Sequence, residues 1–282
     1  MARRAFSVVD VFSADAFRGN PVAVVLEAEG LADDEMAQIS AWTNLSETTF
    51  LTRATDPAAD YALRIFTPSV ELPFAGHPTL GSCRAWLDAG GIPGRGDVVV
   101  QECGVGLVEV RICDDGRLAF AAPPLVRSGP LDDMLLSEVV AALGIAPTQV
   151  VAAAHVDNGP GWVGVLLATA DEVLALEPVD SPLKIGVAGF HAPGSAEAYE
   201  VRAFFPDGAR SIEDPVTGSL NASLAQWLLA EGRLTTPYVA TQGTRLGRTG
   251  RVTIDRDAAG RVWVGGASTV RVSGAVILPD PT

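Results

Sequence analysis

Residues 78–82, Pro-Thr-Leu-Gly-Ser, recur as Pro-Val-Thr-Gly-Ser at residues 215–219, about half a chain later. Each copy opens an apolar segment that has no continuous polar face, and the two segments end at Gly90 and Gly232. A helix that is apolar on most sides is a buried helix, and a glycine beyond the last turn is a common C-terminal cap. We interpret the two copies as an internal repeat of one structural unit.

The rest of the chain is rich in short Val- and Ile-containing runs, which are typical of β-strands. Helices are predicted in four places, namely residues 33–42, 78–90, 132–143 and 217–232. The predicted fold class is α+β, with two pseudo-symmetric lobes that are each a strand-rich, barrel-like sheet wrapped around a central buried helix. The Pro-rich stretch at 121–130 predicts where the chain crosses between lobes. The N-terminal lobe would be residues 1–122, joined by the last strand at about 275–282, and the C-terminal lobe 123–274.

The composition of the chain argues against several classes of function. The 282-residue chain is 48% apolar and carries a formal net charge of −14. Phosphate binding draws on clustered Lys and Arg, which the sequence lacks, so nucleic acid is not an expected partner. No apolar run reaches the roughly 18 to 20 residues that a membrane-spanning helix needs, and Asp10 interrupts the N-terminal apolar run too early for a secretory signal. We therefore expect no membrane association and a cytoplasmic location.

No cofactor is expected either. Cys83, Cys103 and Cys113 are odd in number and lack the spacing of a zinc site or a disulfide framework. Lys184 is the one lysine, and its surroundings do not resemble a pyridoxal phosphate site. The dinucleotide-binding and phosphate-loop glycine motifs are absent from the sequence. The sequence thus predicts chemistry by side chains alone, without metal or cofactor.

Polar residues precede both buried helices, as Phe-Ala-Gly-His-Pro before the first and Ser-Ile-Glu-Asp-Pro-Val-Thr-Gly-Ser before the second. A helix N-terminus offers free N–H groups and a partial positive charge, which favour a carboxylate. Two such starts could hold a small acid. The alternative is structural, since Asp214, Thr217 and Ser219 could simply cap a helix and His77 could be an ordinary loop histidine.

Six blocks of the sequence are similar, in order, to those of the PhzF-like family of phenazine-biosynthesis isomerases, which has the diaminopimelate-epimerase fold. They are residues 10–25, 44–50, 64–81, 157–162, 211–219 and 242–252, and because they match in order along the sequence, the resemblance covers nearly the whole chain. The resemblance implies two pseudo-symmetric lobes with an active site between them, no cofactor, and commonly a homodimer.

The resemblance also implies roles for individual residues. Glu47, in Asn-Leu-Ser-Glu-Thr-Thr-Phe, would be the catalytic acid/base, with His77 and Asp214 beside the substrate. The residues implied in substrate binding are Asn20, Gly76, Asn158, Thr217, Gly218 and Ser219. From composition alone, Glu47 would be taken for a surface glutamate and Asn158 for a turn former.

In epimerases of this fold, two cysteines face each other across the substrate at the heads of the central helices. The corresponding places here are Gly76 and Asp214. Inverting a stereocentre needs acid/base groups on both faces of the substrate, whereas a proton shift along an allylic system can use one group. The sequence therefore favours a cofactor-independent isomerase that moves a proton on a small carboxylate-bearing metabolite, in the biosynthesis of a phenazine or another specialised metabolite.

Two alternatives stay open. One is an amino-acid-type epimerase or racemase, in which His77 or Asp214 would act as the second base. The other is a catalytically silent protein that binds small acids. A departure from the family pattern at Leu220 and Asn221, where many relatives carry small residues and often a histidine, leaves the exact substrate undecided.

Overall fold

The computed structural model of the chain describes residues 2–278, so the end of the predicted last strand, residues 279–282, lies outside the described residues. The helices are α1 (Asp33–Thr43), α2 (Gly76–Asp88), α3 (Asp133–Leu143), α4 (Ala170–Leu174) and α5 (Gly218–Ala230). The strands are β1 (Ala2–Val11), β2 (Asn20–Val25), β3 (Thr48–Thr52), β4 (Tyr61–Phe66), β5 (Glu71–Leu72), β6 (Val98–Cys103), β7 (Gly106–Ile112), β8 (Leu118–Ala121), β9 (Arg127–Pro130), β10 (Ala152–Asp157), β11 (Trp162–Thr169), β12 (Lys184–Phe190), β13 (Tyr199–Asp207), β14 (Arg210–Glu213), β15 (Tyr238–Gln242), β16 (Gly250–Arg256), β17 (Val262–Gly266) and β18 (Ser268–Leu278).

The chain forms two compact units. The N-terminal unit comprises Met1–Ala121 and Gly265–Thr282, and the C-terminal unit comprises Ala122–Val264. In the N-terminal unit, β1 pairs antiparallel with β18 and with β2, β2 pairs parallel with β3, and β3 pairs antiparallel with β4. The sheet continues through a parallel pair, β4 with β6, to the antiparallel β7 and β8. Helix α2 packs against β1, β2 and β18 of this sheet.

The C-terminal unit repeats this order of strands. Its sheet runs through β10 and β11 (antiparallel), β12 (parallel to β11), β13 (antiparallel), β15 (parallel to β13) and β16 (antiparallel). Helix α4 lies between β11 and β12 as α1 lies between β2 and β3, and α5 follows β14 as α2 follows β5. Two units of the same topology, each with one central buried helix, confirm the predicted fold class.

A second repeated pattern appears in the strands before the central helices. Tyr-x-x-Arg-x-Phe occurs at residues 61–66 and again at residues 199–204. Arg64 lies over the ring of Phe66 and pairs with Glu71 at 2.7 Å. In the C-terminal unit, the corresponding arginine at 202 lies over the phenylalanine ring at 204 and pairs with a glutamate of β14, also at 2.7 Å. The two units therefore repeat specific side-chain contacts as well as backbone topology.

The central helices lie very close to their sheets. A Cβ atom built on Gly81 of α2 would lie 2.2 Å from Cγ1 of Val22 on β2. In the C-terminal unit the glycine is on the strand instead, because a Cβ on Gly186 of β12 would lie 2.2 Å from Cδ1 of Leu220 on α5. Such separations leave no room for a side chain, so glycine at these two positions allows helix and sheet to approach.

The helix starts differ from the prediction in a way that matters for the site. Helix α2 begins at Gly76, two residues before the predicted start, so His77 lies in its first turn. Helix α5 begins at Gly218, and Thr217 is its N-cap residue. The short helix α4, which Thr169 caps by accepting from the backbone N–H of Glu172, was not predicted. Among residues 2–278, no helix has the length and apolar character needed to cross a membrane.

Candidate active site

Glu47 lies in the turn between α1 and β3 of the N-terminal unit. Asn44, in the left-handed conformation with φ of 53°, ends α1 and redirects the chain. Thr48 and Thr49, which follow Glu47, are fully buried at the start of β3. The Glu47 side chain is 14% exposed, and its Oε2 atom lies 3.3 Å from Nε2 of His77. Glu47 is therefore an enclosed carboxyl group beside an imidazole, and the interpretation as a surface glutamate does not hold.

His77 is buried in the first turn of α2. Burial lowers the pKa of its imidazole to about 3, although a hydrogen bond to the Pro21 carbonyl acts in the opposite direction. Glu47 and His77 are close enough for an ion pair, but burial keeps the ring uncharged near neutral pH, so we treat their contact as one between a carboxyl group and a neutral imidazole. On the other side of the ring, Nδ2 of Asn20 lies 3.5 Å from Nδ1 of His77.

Asn20 reaches His77 because of the loop that precedes it. The buried carboxylate of Asp10 accepts hydrogen bonds from the backbone N–H groups of Arg18, at 3.2 Å, and of Gly19, at 2.9 Å. A Cβ atom on Gly19 would lie 2.2 Å from the carbonyl oxygen of Val11, so only glycine allows the loop to pass this close to the backbone of β1. Asp10 and Gly19 thus place Asn20 at the first residue of β2. Asp10 is a residue of the site that the sequence analysis did not single out.

In the C-terminal unit, Asp214 lies just before α5 and is 9% exposed. Its Oδ2 atom accepts a hydrogen bond from the hydroxyl group of Thr217 at 2.5 Å, and its backbone N–H donates to Ala203 at 3.0 Å. The side chain of Thr217 makes no capping hydrogen bond to the helix, although Thr217 is the N-cap residue. Asp214 and Thr217 therefore bind each other, which the helix-cap interpretation did not predict.

Gln242, which is fully buried on β15, holds this segment in place. Its Oε1 atom accepts from the backbone N–H of Thr217 at 2.9 Å and from Nδ2 of Asn221 at 2.8 Å. Its Nε2 group donates to the hydroxyl group of Thr217 at 2.9 Å and to the carbonyl of Asp214 at 3.2 Å. One side chain thus makes four hydrogen bonds that fix the start of α5. Gln242 begins the sixth family block, but the sequence assigned it no role, because its partners are more than twenty residues away along the chain.

The first turn of α5 is held on its other side by β11 and the turn before it. Nε1 of Trp162 donates to the hydroxyl group of Ser219 at 3.1 Å, and Nδ2 of Asn158 donates to the carbonyl of Ser219 at 2.9 Å. Asn158 and Trp162 therefore orient Ser219 and Gly218, the first two residues of the helix. Asn158 is more than the turn former that its composition indicated.

The structure places the nine predicted site residues in two groups, one in each unit. The N-terminal group is Asn20, Glu47, Gly76 and His77, and the C-terminal group is Asn158, Asp214, Thr217, Gly218 and Ser219. Within the described residues, no cluster of three or more His, Cys, Asp or Glu side chains could hold a metal ion. Burial raises the pKa of the Cys83 thiol to about 12, so this cysteine is not a thiolate near neutral pH.

Residues 9–275 match the family model for phenazine biosynthesis-like proteins (PhzC-PhzF). The chain belongs to this family. It is 31% identical to the trans-2,3-dihydro-3-hydroxyanthranilate isomerase of Pseudomonas aeruginosa over 95% of each chain. It is also 37% identical to antisense-enhancing sequence 1 of Schizosaccharomyces pombe, over 97% of this chain and 99% of the relative. The solved structure of a Bacillus anthracis PhzF-family protein has the same fold, with a TM-score of 0.82 at 20% identity over 99% of this chain and 100% of that one.

These relationships confirm the predicted family and the predicted class of enzyme. Curated relatives across most of the chain's length are named as isomerases, those of Pasteurella multocida and Pseudomonas fluorescens among them. The chain is a PhzF-family isomerase.

Proposed function

We propose that this PhzF-family isomerase moves a proton between carbon atoms of a small carboxylate-bearing metabolite, with Glu47 as the acid/base and without a cofactor. The observation that carries the proposal is the contact between the enclosed Glu47 carboxyl group and Nε2 of His77 at 3.3 Å. A carboxyl group that is largely shielded from water and lies beside an uncharged imidazole is suited to take a proton from an activated C–H group and to return it elsewhere.

The uncharged state of His77 suits this role. A protonated imidazole would pair with the carboxylate and weaken it as a base, whereas a neutral ring in contact with it adds no charge. Because the imidazole pKa is about 3, His77 stays neutral throughout the pH range in which most enzymes work. His77 would thus orient Glu47, and Asn20 would orient His77.

The start of α5 supports the binding of the substrate carboxylate. The first N–H groups of a helix and its dipole favour an anion, and Gly218 and Ser219 supply them here. Asp214, fixed by Thr217 and Gln242, would orient a polar group of the substrate or handle a second proton. Hydrogen bonds to negative charge that develops during the reaction would stabilise the transition state.

The substrate class follows from the named relative. The Pseudomonas aeruginosa relative is called a trans-2,3-dihydro-3-hydroxyanthranilate isomerase, so an unsaturated cyclic acid of this kind is the first candidate, in the biosynthesis of a phenazine or another specialised metabolite. At Leu220 and Asn221 the sequence departs from the family pattern, which left the exact substrate undecided. The structure gives these two residues less influence on the substrate than the sequence indicated. Both side chains are fully buried, Leu220 against β12 and Asn221 in hydrogen bonds to Thr217 and Gln242.

Deuterium labelling tests the reaction type. The purified protein would be incubated with trans-2,3-dihydro-3-hydroxyanthranilate in D₂O, and NMR would locate the label. A proton shift that exchanges with solvent places deuterium at a carbon that gains hydrogen in the product. Deuterium at an inverted stereocentre with an unchanged skeleton would show an epimerase, and binding without any turnover across a panel of unsaturated acids would show a silent binding protein. Either result would overturn the proposal.

From the family resemblance, we also propose that the enzyme acts in the cytoplasm as a homodimer. Light scattering coupled to size-exclusion chromatography measures its mass in solution, and a mass of one 29.3 kDa chain would refute the dimer. Fractionation of the source cells would test the location.

A further inference from the structure

The N-terminal unit contains a cavity of about 840 Å³ that is not part of the site around His77. It lies at the opposite end of the central helix, where Trp86 and Gly90 form part of its wall. Helix α2 has 13 residues, and at about 1.5 Å per residue its two ends are roughly 20 Å apart. The cavity falls within the range of known small-molecule sites, about 300 to 1,000 Å³.

Two of the three acidic side chains in its wall are used by the protein itself. Asp60 accepts hydrogen bonds from the backbone N–H groups of Gly94, at 2.8 Å, and Val100, at 2.7 Å. Glu29 accepts from the backbone N–H of Arg53 at 2.8 Å, and its carbonyl accepts from Nη2 of Arg4, also at 2.8 Å. These contacts hold the walls of the cavity in place.

The remaining charged groups of the wall are poorly matched by the protein. The Nε atom of Arg4 is buried and has no hydrogen-bond partner. Arg53 and Glu27 are exposed, and neither side chain makes a hydrogen bond or an ion pair with any residue in the range 2–278. The cost of leaving a buried donor without an acceptor applies to the Nε–H group of Arg4. The unpaired Nε–H group of Arg4, with the guanidinium group of Arg53 in the same wall, therefore points to a bound carboxylate.

The wall of the cavity also carries negative charge. Glu27 is exposed at the edge of the cavity, in a left-handed backbone conformation with φ of 54°. The C-terminus of α2, with its partial negative charge, ends in the same wall. Both features favour an ammonium group. The wall also includes the buried Leu26 and Leu51 and the half-buried Trp86, whose ring is contacted by Tyr61 at 5.4 Å between centroids.

We propose that this cavity binds a small zwitterion of the α-amino acid type, whose carboxylate meets Arg4 and Arg53, whose ammonium group meets Glu27, and whose apolar ring packs on Trp86. The cavity would be a second ligand site of the enzyme, separate from the chemistry at Glu47 and independent of it.

The test uses L-phenylalanine and two analogues of the same size, one lacking the carboxylate (2-phenylethylamine) and one lacking the ammonium group (3-phenylpropanoate). Isothermal titration calorimetry would measure binding to the full chain up to millimolar concentrations. We expect phenylalanine to bind, and each analogue to bind about tenfold more weakly or worse, since each lacks one charge-assisted contact. No binding of phenylalanine, or equal binding of all three compounds, would overturn the proposal.

Variants locate the site. Arg4→Gln should weaken phenylalanine binding by about tenfold, whereas Arg3→Gln, one residue earlier on β1 and outside the cavity wall, should leave it unchanged. Glu47→Gln should bind phenylalanine as the wild type does, because it changes only the other end of α2. Loss of binding in Glu47→Gln, or retention in Arg4→Gln, would place the ligand elsewhere and refute the proposal. Circular dichroism would show that each variant is folded.

Discussion

Replacing Gln242 with leucine tests whether a residue that is not expected to touch the substrate positions the start of α5. Leucine has a similar size and is apolar, so the change removes all four hydrogen bonds and little volume. The backbone N–H of Thr217 loses its partner in a fully buried environment, while Asn221 keeps its bond to the Thr217 carbonyl. A buried donor left unpaired costs about 1 to 3 kcal/mol, so with the partial loss at Asn221 we expect destabilisation of about 2 to 4 kcal/mol.

The same change should affect catalysis more than substrate binding. Asp214 and Thr217 would lose the side chain that fixes their backbone, so we expect kcat to fall by about tenfold or more while KM changes less. Urea unfolding followed by circular dichroism gives the stability, and steady-state turnover gives kcat and KM. Gln226→Leu is the matched control, because this glutamine lies on α5 and makes one hydrogen bond, to the carbonyl of Pro123. Wild-type stability and kcat in Gln242→Leu would refute the positioning role.

Further predictions concern His77 and the fold. The folded-state pKa of His77, about 3, lies below the unfolded value of 6.5. Below about pH 6.5 the unfolded state therefore binds a proton that the folded state does not bind. The free energy of unfolding should then fall as the pH drops, by up to about 1.4 kcal/mol per pH unit. Urea titrations from pH 7 to pH 4 should show a flatter dependence for His77→Gln than for the wild type, and parallel curves would contradict the assignment. Asp10→Ala removes the acceptor of two backbone N–H groups and should lower the free energy of unfolding by about 2 to 4 kcal/mol. Because Asn20 would no longer be held in position, kcat should fall as well. An unchanged urea midpoint and kcat would refute the role of the loop before β2. Gly81→Ala should cost about 1 to 3 kcal/mol through overpacking against Val22, whereas Gly274→Ala, which meets no atom within 4 Å, should be close to neutral in the same assay; equal effects would argue against the close approach of helix and sheet.

Much of the fold could be predicted because the internal repeat is visible in the sequence. The Pro-x-x-Gly-Ser pair marked two buried helices, and their glycine ends and apolar composition indicated that sheets surround them. The Tyr-x-x-Arg-x-Phe repeat could have been found as well, but its meaning depends on glutamates at different distances along the chain, seven residues later in one unit and eleven in the other. Helix α4, with five residues, is too short to show a helical period.

The candidate site was less accessible to sequence reasoning. The family resemblance located Glu47, which no local pattern distinguishes from an ordinary glutamate. It also assigned a role to His77, for which the polar start of the buried helix alone left an ordinary loop histidine as the alternative. Their contact, the burial that keeps His77 neutral and the hydrogen bonds of Gln242 and Asp10 arise from segments that are distant in sequence. Such contacts depend on the packed fold, since burial and hydrogen-bond geometry set the chemical state of a side chain.

Turnover by Glu47→Gln is the most direct test of the central claim. The amide has the shape of the carboxyl group but cannot accept and return a proton, so we expect kcat on trans-2,3-dihydro-3-hydroxyanthranilate, or on whichever unsaturated acid the wild type converts, to fall by roughly 10²- to 10⁴-fold. Urea unfolding should be unchanged, as should the activity of Glu138→Gln, which alters an exposed glutamate on α3. A Glu47→Gln enzyme with wild-type turnover would show that another group carries the proton.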